Sequence, residues 1–81
     1  MKEIVKELRE KLKDNSSVFD ISCTDGNVIL KCYNPANYTE EVEVSNALHL
    51  VTKRLKEEKI CYSLLTWGSL ATDLRTFEIL I

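Results

Sequence analysis

Cys23, Cys32, Cys61 and His49 are the residues of this chain best suited to hold a metal, since together they make up a Cys3His set. Such a set must converge on a point about 2.0–2.3 Å from each donor atom. The sequence argues against that convergence. Asp25-Gly26 is the dipeptide expected at the centre of a two-residue type I′ turn, and it lies between alternating segments at 18–24 and 28–33. The turn sets Thr24 opposite Asn27, Cys23 opposite Val28, Ile21 opposite Leu30 and Phe19 opposite Cys32. Cys23 and Cys32 then share a face roughly 13 Å apart at about 3.3 Å per residue, too far for one metal or a disulfide. Both read more simply as small buried hydrophobes. Three cysteines without compact spacing fit a reducing compartment, so the cytoplasm is the expected location. No metal and no cofactor is expected.

Catalytic constellations are equally hard to assemble. His49 falls off the apolar stripe of its segment, beside Lys53 and Lys56, where a solvated side chain is the simpler reading than a general base. No strand-to-helix elbow presents a nucleophile. Gly26 and Gly68 are the only glycines and belong to no phosphate-cradling loop. Glu40, Glu41 and Glu43 suit the positive end of a helix dipole better than an acid/base pair. An enzyme is not expected, and catalysis or small-ligand binding ranks third among the readings.

The elements that carry these residues follow from apolar spacing. Met1, Ile4, Val5, Leu8 and Leu12 repeat the rhythm of Val44, Ala47, Leu48, Val51 and Leu55 at a shift of 43 positions, each lining one face of a helix. The first helix is expected over 1–13. The second runs to about Glu58 with Thr39 as its cap; a short strand at 41–44 with Ser45 as the cap is the alternative. Strands are expected at 60–66 and 75–81, with Trp67-Gly68-Ser69 opening the loop between them. The fold class is therefore α+β. It is a two-layer sandwich with two helices on one face of a mainly antiparallel four-stranded sheet, in the order αββαββ. Residues 1–81 form a single domain, with a possible αββ pseudo-repeat over 1–33 and 42–81.

Composition sets the remaining bounds. A chain 44% hydrophobic and 30% charged is that of an ordinary globular protein rather than a disordered one. Its formal charge is −2, and residues 15–45 hold five acids against one base, which weakens any case for broad phosphate-backbone binding. No apolar run approaches the roughly 18–20 residues of a membrane span. The amino terminus is charged and amphipathic, unlike a signal peptide.

Function is sought on the sheet face that the helices leave open. The 43-residue shift sets Tyr62, Leu64 and Thr66 inward like Phe19, Ile21 and Cys23, and turns Cys61, Ser63, Leu65 and Trp67 outward. The outer face then presents Val18, Ile29, Tyr33, Leu65, Trp67 and Leu80 among Asp20, Lys31 and Glu78, more apolar surface than a solvated face normally carries. This points to a small non-catalytic protein-interaction or regulatory module. It would self-associate through Ile29, Tyr33, Leu65, Trp67 and Leu80, or through the C-terminal strand if that strand is an edge. The partner is another protein or a second copy, with no membrane involved. The alternative is single-stranded nucleic-acid binding, with Tyr33 and Trp67 stacking bases and Lys31, Lys53, Arg54 and Lys56 meeting phosphates.

Overall fold

The computed structural model describes residues 1–69 and 73–81, and of Ser69 the backbone alone. The chain runs α1 (Lys2–Leu12), β1 (Val18–Thr24), β2 (Asn27–Tyr33), α2 (Tyr38–Glu57), β3 (Ser63–Ser69) and β4 (Leu74–Leu80). All strand pairs are antiparallel, in the sheet order β1-β2-β4-β3. The α+β architecture and the αββαββ order are those expected. Val5, Leu8 and Leu12 of α1 and Val44, Ala47, Val51 and Leu55 of α2 join Ile21, Val28, Leu30, Cys32, Phe77 and Ile79 in one buried cluster. Both helices therefore cover the same face of the sheet. None of the helices among the described residues is long and apolar enough to cross a membrane.

Local chemistry explains where the elements start and stop. Asp25 and Gly26 both take positive φ, at 52° and 82°, as the type I′ turn requires, and this fixes the β1–β2 register from Thr24↔Asn27 inward. Helix α2 covers the ambiguous 38–44 segment, and its cap is Asn37 rather than Thr39. The Asn37 side chain accepts from the Glu40 backbone N–H at 2.9 Å, and the Glu40 carboxylate accepts from the Ala36 N–H at 2.8 Å. Its far end closes in a Schellman motif: the Ile60 N–H reaches the Leu55 carbonyl at 3.0 Å, with Lys59 at a φ of 57°. That turn seats Ile60 against the core.

Three expectations about the sheet are corrected. The β1–β2 register slips between Val18 and Asp20, so that Val18, not Phe19, lies opposite Cys32. Phe19 is the extra residue of a β-bulge and turns outward, 53% exposed, while Val18 turns inward against the core. Next, Trp67, Gly68 and Ser69 extend β3 rather than opening a loop, because they continue its ladder opposite Thr76, Arg75 and Leu74; the rest of the predicted loop, at 70–72, lies outside the described residues. Finally, the C-terminal strand β4 is not an edge. Its backbone is paired to β2 on one side and β3 on the other, which leaves no free ladder for another chain.

Candidate interaction surface

Pairing across the four strands stacks the outer face into rows. One row is Ser22, Ile29, Glu78 and Leu65; the next is Asp20, Lys31, Thr76 and Trp67. Tyr33 lies opposite Leu74, which lies opposite Ser69, and Leu80 lies opposite Ser63. The parity inferred from the 43-residue shift holds for β3. Leu65 pairs with Glu78 on the open face, whereas Leu64 and Thr66 oppose the buried Ile79 and Phe77 on the helix-covered face. The five proposed interface residues Ile29, Tyr33, Leu65, Trp67 and Leu80 thus share one face.

The size of the exposed groups makes this face unusual. Trp67, Leu65 and Tyr33 are 52%, 49% and 46% exposed, and Ile29 and Leu80 are half-buried. Thr76, in the middle of the face, is only 4% exposed. Its neighbours in the row are Lys31 and Trp67. The bulged Phe19 adds a ring that meets Tyr33 edge to face, with centroids 5.6 Å apart. Phe19 and Leu74 are members that alternation alone misses. A bulge leaves no mark in the apolar pattern, and Leu74 sits just before the predicted start of its strand.

Strand β3 has a second peculiarity. Residues 63–68 are all exposed, so side chains on both of its faces meet solvent, including Leu64 on the helix side. The helices cover β1, β2 and β4 and fall short of β3. From Ile60 to Thr72 the sequence contains no charged residue and no proline, in a chain that is 30% charged. As an edge, β3 therefore lacks the charge or proline that edge strands normally carry.

The nucleic-acid set is divided by the fold. Lys31, Tyr33 and Trp67 lie on the open face, whereas Lys53, Arg54 and Lys56 belong to α2 in the other layer. Arg54 is moreover committed: its guanidinium donates to the Glu7 carboxylate of α1 and to Glu58, each at 2.6 Å. The hydrogen bond from Arg54 holds the Glu7 carboxyl below its ordinary value. This pairing clamps α1 to α2.

The three cysteines and the histidine are scattered. Cys32 is fully buried, and burial pushes its thiol up to about 11, which makes it unreactive. Cys23 is half-buried, Cys61 is exposed, and His49 is exposed on α2. Among the described residues no three His, Cys, Asp or Glu side chains are grouped to hold a metal ion. Compared with known proteins, the chain matches no family model, no curated protein and no solved structure.

Proposed function

We propose that this protein is a small non-catalytic interaction module of regulatory type that self-associates through its outer sheet face. The observation that carries the reading is the grouping of Trp67, Leu65, Tyr33 and Phe19, each about half exposed, on the face opposite both helices. Trp and Tyr supply large contact area at low entropic cost and are the residues enriched where binding energy concentrates. Asp20, Lys31 and Glu78 are interspersed and keep the separated chain soluble. A domain of 81 residues buries only about 60% of its unfolded surface, so a second copy adds substantially to a small margin. Single-strand binding is the weaker reading, because its rings and most of its cations lie on opposite layers.

Sedimentation of the full chain over a wide concentration range tests self-association, with the emission of Trp67, the only tryptophan, followed on dilution. The expected outcome is a dimer that dissociates on dilution with a red shift of Trp67. A monomer at every concentration with unchanged emission overturns the proposal.

A further inference from the structure

The free edge of β3 is patterned for its own copy. The backbone groups that it offers can be worked out from the ladder. The Asn34 N–H donates to the Asp73 carbonyl at 3.1 Å, which makes that β2–β4 pair a hydrogen-bonded one. Antiparallel pairs alternate between bonded and non-bonded, so Cys32/Arg75, Leu30/Phe77 and Val28/Ile79 are bonded too. Leu74, Thr76, Glu78 and Leu80 therefore turn their N–H and C=O groups toward β3, onto Ser69, Trp67, Leu65 and Ser63. What remains directed away from the sheet is the backbone of Leu64, Thr66 and Gly68. Among the described residues no strand pairs with it.

We infer that two copies join edge to edge, β3 against β3 in antiparallel, about a two-fold axis at Thr66. The inference rests on the self-association proposed above and specifies its geometry. This axis pairs Thr66 with the partner's Thr66 and Leu64 with the partner's Gly68, and uses all three outward residues of each strand in about six backbone hydrogen bonds. It sets Leu65 beside the partner's Trp67 on the outer face, so the two apolar patches merge across the seam. On the other face Leu64 lies against a glycine, where no side chain competes for its space. Self-pairing brings identical residues together, and a charge at the axis would meet itself. A strand with no charged residue is free of that penalty, which makes a second copy the fitting occupant.

The opposite edge keeps the assembly closed. At β1 the ladder is broken by the bulge at Phe19, Asp20 carries charge, and the Arg9 guanidinium occupies the outward carbonyl of Ile21. Head-to-tail addition of β3 to β1 of the next copy is thereby blocked. The isologous pair is the end point, and no fibre grows from it.

The test uses charge at the axis. Thr66 is exposed, so Thr66→Lys and Thr66→Glu leave folding intact. In sedimentation equilibrium each variant alone is expected to dissociate at least tenfold more readily than the unmodified chain. An equimolar mixture of the two is expected to recover a dimer within about threefold of it, because unlike charges then face one another across the seam. Thr66→Pro, which removes only an outward N–H, is expected to give a monomer. Ile29→Glu, two strands away on the outer face, separates the alternatives. If it abolishes the dimer while both charge variants stay dimeric, the edge geometry is overturned and self-association through the face stands. If the unmodified chain is monomeric throughout, both are overturned.

Discussion

The sheet has two edges, and they are built on opposite principles. Strand β1 carries a bulge, a carboxylate at Asp20 and an arginine from α1 on its outward carbonyl, and its side chains Val18, Ile21 and Cys23 are tucked against the core. Strand β3 has an unbroken seven-residue register with β4, no charge, no proline, and side chains exposed on both faces. An unpaired strand edge is a template for other chains unless something blunts it. Among the described residues one edge has three such devices and the other has none. On the proposed self-association, the contrast puts the contact on the β3 side and limits the assembly to two copies.

The largest effect is expected from a change in the core that both edges share. Leu30 lies in β2 between the two edges and is fully buried, so Leu30→Ala should cost about 2–5 kcal/mol and unfold both edges in one transition. Denaturant titration followed by circular dichroism checks this. Separate transitions for the two halves would show that they do not share one core. Next, Trp67→Ala should weaken self-association at least tenfold, about 1.4 kcal/mol, while leaving the unfolding midpoint of the monomer nearly unchanged. A smaller effect is expected at the protected edge. Arg9→Ala uncovers the Ile21 carbonyl, should lower stability by about 1 kcal/mol, and should allow species larger than the dimer at high concentration. If light scattering shows the same size distribution as the unmodified chain, the arginine is not what guards β1.

Two further changes sharpen the contrast by sparing both edges. Lys59 occupies the left-handed conformation that closes α2, and Lys59→Gly relieves it, with stabilisation of up to about 1 kcal/mol and no change in association. Acid should act on the helix layer through Glu7. Because Arg54 lowers the Glu7 carboxyl below 4.5, the clamp contributes fully above that value and is lost as pH falls through the lowered one. Glu7→Gln should abolish this part of the acid sensitivity in pH-dependent unfolding, and the dimer seam should be indifferent to it.

How far the sequence was readable follows the range over which each feature is determined. Asp25-Gly26 sets a local turn, and from it came the hairpin, the opposition of Asp20 to Lys31 and the inward row of Ile21, Cys23, Val28 and Leu30. The two apolar stripes gave both helices, because a stripe at helical spacing records what a helix packs against. The bulge at Phe19 was hidden, since an extra residue in one strand leaves the apolar content of its neighbours unchanged. Strand order was hidden too: whether β4 or β3 is the edge depends on pairing between segments far apart in the chain. The limits of β3 are obscure in the sequence for a physical reason. A strand exposed on both faces has no buried side to impose alternation, so Ser63–Ser69 looks partly like a loop. Alternation places Ile29, Tyr33, Leu65, Trp67 and Leu80 on the candidate surface, whereas Phe19 and Leu74 escape it.

Hydrogen exchange at single amides tests the edge contrast most directly. At high protein concentration the outward amides of Leu64, Thr66 and Gly68 should exchange slowly and become fast on dilution, in step with the dimer's dissociation. The outward amide of Cys23 on β1 should exchange at a rate independent of concentration. Rapid exchange of Leu64, Thr66 and Gly68 at every concentration, in a sample that sedimentation shows to be dimeric, would contradict the account.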